Sequence, residues 1–324
     1  MKRVAILTTG GTIAMTPDGD RVTLPTSGPD FLQLVPELRS IAEVESLPLF
    51  HLDSADMNPA AWVRVASEVH AAFARADGVV VVHGTDTMAY GASLAAFLLG
   101  PLPGPVVFTG AQKPLSDVRT DARQNLVDAT LVATMNVPEV VVAFGSHAYR
   151  GVCTTKVDAF GFEAFASPNV EPLVVFGTGI SVSPHVRAAG TLTSFDARLD
   201  LRVVHVRVVP GLEPALLRAV LASDARVLVL STYGTGTLPA ALTPVLEEAR
   251  ARDVVVVAVS QCVRGRVELG RYEAGAAAAA AGAISGVGMT VEAALAKSMV
   301  AAARTHEVEA LRAALQRDWL GELA

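Results

Sequence analysis

Short apolar runs rich in β-branched residues recur along the chain at Arg3–Leu7, Gly78–Val82, Pro105–Phe108, Glu139–Phe144, Arg226–Leu230 and Asp253–Val259, with alanine-rich, helix-like stretches between most of them. The runs are continuous rather than alternating, as strands covered by helices on both faces are. Strands alternating with helices predict an α/β fold with a mainly parallel sheet. Nearly every run ends in a polar cluster: Thr8–Thr12, His83–Thr87, Thr109–Lys113, Gly145–His147, Ser231–Thr237 and Ser260–Cys262. Ligands of open parallel sheets bind outside the carboxyl ends of the strands, so one edge of the sheet is expected to carry the chemistry.

Helices are expected over Pro59–Ala76, Asp121–Thr134, Pro214–Ala222, Leu238–Arg252 and Thr290–Thr305, while Gly275–Gly282 reads as a helical or loop segment. With 324 residues the chain exceeds the roughly 250–300 at which one core stops growing. The stretch Gly177–Leu201 lacks a strong apolar period and carries Gly, Ser and Pro, which places a linker there. The expected organisation is a larger N-terminal domain, residues 1–185, with a flavodoxin- or Rossmann-like, mainly parallel sheet flanked by helices. A linker, 186–202, and a smaller C-terminal parallel α/β domain, 203–324, complete it.

Hydrophobic residues make up 51% of the chain, yet no apolar run approaches the roughly 20 residues of a membrane helix, so no membrane partner is expected. A formal net charge of −6 argues against nucleic acid, whose binders show a basic face, and in favour of a small-molecule ligand. The chain enters strand and motif at once, without the regions of a signal peptide, and a cytoplasmic location is the expectation. Cys153 and Cys262 are the only cysteines, too few for a disulfide framework or a four-cysteine zinc site. Lysine is confined to Lys2, Lys113, Lys156 and Lys297, arginine carrying the remaining positive charge. Arginine does not release its proton, whereas a lysine can act as a base where its surroundings favour the neutral amine.

Two threonine-bearing turns stand out, Thr9-Gly10-Gly11-Thr12 after the first run and His83-Gly84-Thr85-Asp86-Thr87 after the second. Glycines allow a sharp turn and close approach of backbone to a ligand, and each turn presents a hydroxyl. A threonine nucleophile needs a base, directly or through a relay. Asp86 adjoins Thr85, and Lys156, within Thr154-Thr155-Lys156, is a further base candidate. Asp53-Ser54-Ala55-Asp56-Met57 precedes a helix; Ser54 and amides near it suit a carboxylate, while plain capping by Ser54 or Asp56 is the alternative. Met15–Asp30, with its Pro17-Asp18-Gly19 turn and closing Gly28-Pro29, is long for a strand-to-helix connection and reads as a lid.

These motifs, in this order, resemble those of the bacterial asparaginases, the asparaginase/glutaminase family. The matching segments are Thr9–Ala14, His83–Thr87, Thr154–Lys156 and Phe165–Asn169, with Tyr233–Thr237 and Ser260–Cys262 similar to the cytoplasmic, type I-like members. The resemblance implies hydrolysis of L-asparagine to L-aspartate and ammonia without metal or organic cofactor, by a homodimer or homotetramer. It implies Thr12 as nucleophile, Lys156 and Thr85 as proton handlers that activate water, and Asp86 as partner of the substrate ammonium. Ser54 and nearby amides would hold the α-carboxylate, backbone N–H groups near Gly11 and Ala111 would donate to the developing oxyanion, and the substrate-binding set would be Gly11, Asp53, Ser54, Ala55, Thr85, Asp86 and Ala111.

The chain also departs from the family pattern. Met15–Asp30 contains no tyrosine, where many members carry one that orients the first threonine; Arg21, Val22 and Thr23 occupy the approximate place, which leaves Thr85 as the alternative nucleophile. Ala55 stands where a hydroxyl or amide side chain is common, and Thr237 where asparagine or aspartate is. Glu273 is the nearest acidic residue to one that periplasmic members contribute across an interface. Weak glutaminase activity is the expectation. The alternatives are a catalytically impaired amino-acid-binding homologue and another amidohydrolase of the superfamily, such as a subunit that deamidates glutaminyl-tRNA.

Overall fold

The computed structural model describes residues 1–18, 21–23 and 31–324. Contacts divide the chain into two units, Met1–Ala197 and Arg198–Ala324. The strands are β1 (Arg3–Gly10), β2 (Thr16–Asp18), β3 (Arg21–Thr23), β4 (Glu43–Leu52), β5 (Gly78–Val82), β6 (Val106–Thr109), β7 (Val140–Phe144), β8 (His147–Arg150), β9 (Thr155–Lys156), β10 (Phe165–Ala166), β11 (Val174–Phe176), β12 (Ile180–Val182), β13 (Val203–Arg207), β14 (Val227–Thr232), β15 (Val255–Ser260) and β16 (Ile284–Ser285).

The first unit is built on a sheet of order β12-β11-β8-β7-β6-β5-β1-β4. Pairing is parallel from β7 to β4 and antiparallel from β7 to β12. Strands β5, β6 and β7 are buried at every residue, because helices lie on both faces and leave no face for polar alternation. In chain order the parallel strands run second, first, third, fourth, fifth, the flavodoxin-like arrangement. The chain winds in opposite directions from β1 and β5, and a crevice opens outside their carboxyl ends. Both threonine turns leave from those two strands.

The helices follow the expectation with shifts that local residues explain. One spans Pro59–Ala72, with Pro59 in its first turn and the Asn58 side chain accepting from the Ala61 amide. Another spans Ala122–Thr134. The expected Leu238–Arg252 helix is shorter: a 3-10 turn at Ala240–Leu242 precedes an α-helix over Thr243–Ala251, which starts where Pro244 fits the first turn. Inside Gly177–Leu201, β12 forms a short antiparallel edge strand against β11.

The second unit carries four parallel strands in sequential order, β13-β14-β15-β16. Its core gathers Leu217 and Leu221, Val245, Leu246 and Ala249, and Ala278 around Leu228, Leu230 and Val256. The alanine-rich stretch is a helix, Glu273–Ala280. Of the expected lid, β2 and β3 pair as an antiparallel ribbon, whereas Gly19–Asp20 and 24–30, including the Gly28-Pro29 closure, lie outside the described residues. Among the described residues no helix is long and apolar enough to cross a membrane, and no group of His, Cys, Asp and Glu could hold a metal ion.

Candidate active site

Close backbone approach brings the crevice together. Gly11, at φ +80°, begins a 3-10 turn that carries Thr12, and a Cβ placed on it would lie 2.5 Å from the Gly84 Cα. A Cβ on Gly84 would in turn lie 2.6 Å from the Ser54 Cβ. Real Cβ atoms do not approach that closely, so only glycine lets the three segments holding Thr12, Ser54 and Thr85 stack against one another. The Thr9 hydroxyl donates to the Val82 carbonyl (3.2 Å) and the Thr87 hydroxyl to the Ser54 carbonyl (2.8 Å), tying the same strand ends together.

Lys156 enters from a different part of the chain. It lies on β9, whose two-residue antiparallel ladder pairs Lys156 with Phe165 and Thr155 with Ala166. Phe165 is buried edge-on against Phe144, with ring centroids 5.1 Å apart, so the Phe165–Asn169 motif anchors the lysine strand. From there Nζ donates to Thr85 Oγ1 (2.8 Å) and Asp86 Oδ1 (2.7 Å). Asp86 is largely exposed and Thr85 buried, so the cluster runs from solvent into the crevice.

The Thr85 hydroxyl is held from both sides. It accepts from Lys156 and donates to Gln112 Oε1 (3.2 Å). Gln112 Nε2 donates to the Gly161 carbonyl (3.0 Å), and the Gly161 turn is fixed by Asp158, whose Oδ1 accepts from the Phe160 and Gly161 amides. Those two amides hold the Asp158 carboxyl below its ordinary range. Gln112 belongs to the polar cluster Thr109–Lys113, but its residue type alone did not separate it from its neighbours.

His83 is a second residue that the motif contains and sequence reasoning left without a role. Trp62 Nε1 donates to His83 Nε2 (3.2 Å), so the imidazole proton sits on Nδ1 and is directed at the Gly84 carbonyl (2.7 Å). Complete burial lowers its pKa from 6.5 to about 4, with the Gly84 bond opposing the shift. A neutral, fixed imidazole thereby braces the turn that carries Thr85.

Around Ser54 the helix does not begin where its amides were expected to serve a carboxylate. Ser54–Asp56 forms a separate 3-10 turn, Asp53 caps it by accepting from the Ala55 amide (2.9 Å), and the following helix is capped by Asn58. The capping alternative for Ser54 or Asp56 is thus filled by Asp53 and Asn58. Ser54 itself is buried beside Gly84, and Ala111, also buried, follows β6 in the same cleft. Of the remaining lysines, Lys2 and Lys113 make surface pairs with Asp77 and Asp117, and Lys297 lies inside the second unit.

Family models match nearly the whole chain: "Asparaginase, N-terminal" over residues 3–188 and "Glutaminase/Asparaginase C-terminal domain" over 202–315. L-asparaginase 1 of Escherichia coli strain K12 is 38% identical, covering 99% of this chain and 98% of that protein. The L-asparaginase of Thermococcus kodakarensis is 37% identical over 99% of both chains. Its solved structure superposes with a TM-score of 0.91, as does L-asparaginase I from Vibrio cholerae, 34% identical over 100% of this chain and 99% of that one. The two-unit α/β architecture, the paired threonine turns and these full-length matches agree, and the chain belongs to the asparaginase family.

Proposed function

We propose that this protein hydrolyses L-asparagine to L-aspartate and ammonia, with Thr12 as nucleophile and Thr85, Asp86 and Lys156 as the proton-handling cluster. The observation that carries the reading is the contact of Lys156 Nζ with both Thr85 Oγ1 and Asp86 Oδ1 at the switch point of the sheet. Full-length similarity to L-asparaginases supports the substrate.

In the proposed reaction Thr12 Oγ attacks the side-chain amide carbon and its proton passes to the leaving nitrogen. The C–N bond breaks, ammonia departs, and a β-aspartyl ester remains on Thr12. Water then attacks the ester carbon and its proton passes through the Thr85 hydroxyl to Lys156 as the neutral amine; the C–O bond breaks, that proton returns to Thr12 Oγ, and L-aspartate is released. Before that transfer the Thr85 hydroxyl must turn away from Gln112, to which it donates at rest. The exposed Asp86 carboxylate suits the substrate ammonium, and Ser54 suits its carboxylate end, the Ala55 amide being taken by Asp53. Backbone near Gly11 and Ala111 suits the oxyanion, a contribution of roughly 3–4 kcal/mol per donor elsewhere.

The chemistry needs no metal or cofactor. The same reading has the protein cytoplasmic and homo-oligomeric, a dimer or a tetramer, which sedimentation distinguishes. Weak glutaminase activity is part of the proposal, because one methylene changes binding by roughly 1–3 kcal/mol in such a pocket. The test is ammonia release from L-asparagine, L-glutamine and D-asparagine by wild type, Thr12→Ala and Thr85→Ala. Release from L-asparagine should fall by about 1,000-fold or more in each variant. Absence of release from every amide by the wild type contradicts the activity, and equal turnover of L-glutamine contradicts the preference.

A further inference from the structure

The loop after β6 is held with unusual completeness by two side chains of the helix that follows it. Asn125 Nδ2 donates to the Gly110 carbonyl (3.0 Å) and to Asp121 Oδ2 (3.0 Å), and its Oδ1 accepts from the Gly145 amide (3.1 Å). The Asp121 carboxylate accepts from the Gln112 amide (3.1 and 3.0 Å) and the Lys113 amide (3.1 Å). Thr109 Oγ1 donates to the Ala143 carbonyl (2.9 Å), and the Thr120 hydroxyl to the Lys113 carbonyl (3.1 Å).

Between these anchored neighbours stands Ala111. It is only 1% exposed, yet neither its N–H nor its C=O is hydrogen-bonded to another described residue. Buried peptide groups are almost always paired, so this one is presented rather than merely packed. The loop abuts the threonine turn: the His83 amide donates to the Thr109 carbonyl (2.8 Å), and a Cβ on Gly110 would meet the His83 carbonyl at 2.2 Å. The Gln112 side chain then reaches Thr85.

The position of Asp121 is informative in its own right. It occupies the N-cap of the Ala122–Thr134 helix, where an aspartate normally turns its carboxylate onto its own helix amides. Here it makes no cap bond; Thr120 Oγ1 takes the Ala122 amide instead (3.0 Å), and the carboxylate faces the loop. The aspartate has forgone a local cap to gather two amides from the segment beside the Thr85 hydroxyl.

We infer that Asp121 and Asn125 are positioning residues, a clamp that aims the Ala111 peptide and the Gln112 side chain at the substrate amide beside Thr85. The inference rests on the proposed amide hydrolysis. Its test compares wild type with Asp121→Asn and Asn125→Ala, using Asp128→Asn as control. Asp128 is buried on the same helix but accepts from Gln124, away from the loop.

Steady-state rates on L-asparagine, inhibition by L-aspartate and amide hydrogen exchange are read on all four proteins. The clamp requires kcat to fall by about 100-fold in Asp121→Asn, the scale set by misplacing a reacting group by an ångström. The inhibition constant should hold within about 3-fold, and Asp128→Asn should match wild type. Exchange at the Gln112 and Lys113 amides should quicken by at least about tenfold in Asp121→Asn, with core strands unchanged. Wild-type kcat in both clamp variants overturns the inference, as does an equal loss of kcat and L-aspartate affinity. Should the wild type release no ammonia, the activity is wrong, and the exchange measurement still decides the clamp: local quickening supports it and unchanged exchange overturns it.

Discussion

Lys156 and Lys297 each place Nζ beside a carboxylate, at 2.7 Å from Asp86 and 2.6 Å from Glu322, and their surroundings could hardly differ more. Lys297 and Glu322 are both fully buried. The Lys297 ammonium spends its other donors on the Leu315 and Arg317 carbonyls (3.0 and 2.6 Å) and lies 5.5 Å from the Trp319 ring centroid. Glu322 in turn accepts from the Trp319 and Leu320 amides. Burial pushes the Lys297 pKa down while Glu322 opposes it. This is a closed joint that pins the C-terminal segment to the Val291–Arg304 helix. Lys156 instead meets a hydroxyl and an exposed carboxylate at the mouth of a crevice. In the proposed mechanism, then, depth of burial does not mark the reactive lysine; the chemistry of its partners does.

The comparison breaks first, and most visibly, on substitution of the two lysines. Lys156→Met should lower ammonia release from L-asparagine by about 1,000-fold or more while the thermal midpoint stays near wild type. Lys297→Met should do the opposite, costing about 3–5 kcal/mol of stability by stranding a buried glutamate, with activity per folded molecule preserved. Glu322→Gln on top of Lys297→Met should recover part of that loss, as read by urea melts. Equal activity losses in the two lysine variants would erase the distinction.

A smaller effect is expected where the crevice segments touch. Gly11→Ala adds a Cβ 2.5 Å from Gly84 backbone at a φ of +80°, so one turn must move. Loss of about 100-fold in kcat is expected, and kinetics alongside a melt measure it. Smaller again is a pH effect from His83. Its folded pKa of about 4 lies below 6.5, so between those values the unfolded chain binds the extra proton. Its stabilising contribution is complete above about pH 6.5 and is lost as pH falls towards 4, up to about 3 kcal/mol. Melts from pH 7 to pH 4, with NMR of the imidazole, check the sign. The smallest effect belongs to Val118, fully exposed on the loop beside the clamp: Val118→Asp should change stability by less than about 0.5 kcal/mol.

The parallel strands were legible because continuous β-branched runs have no other comfortable environment, and Gly78–Val82 is a strand over the same residues that its composition marks. The antiparallel edge was not. Strands β11 and β12 have three residues each, β12 is exposed throughout, and neither carries a period long enough to read. In the site, the order of motifs named Thr85, Asp86 and Lys156, which the fold brings into contact. The roles of Gln112, Asp121 and Asn125 lie in bonds to main-chain groups of other segments, the Gly161 carbonyl, the Gln112 and Lys113 amides and the Gly110 carbonyl, which residue type does not reveal, and His83 braces its own turn through the adjacent Gly84 carbonyl. An aspartate opening a helix reads as a cap, and only the fold shows Asp121 turned towards the Gln112 and Lys113 amides.

The proposed division of labour between the two threonines is tested most directly by trapping the covalent intermediate. Lys156→Met protein mixed with L-asparagine, quenched in acid and digested, should show one β-aspartyl group on the peptide containing Thr12, and none in Thr12→Ala. A β-aspartyl group on the Thr85 peptide instead, or full ammonia release by Thr12→Ala, would contradict it.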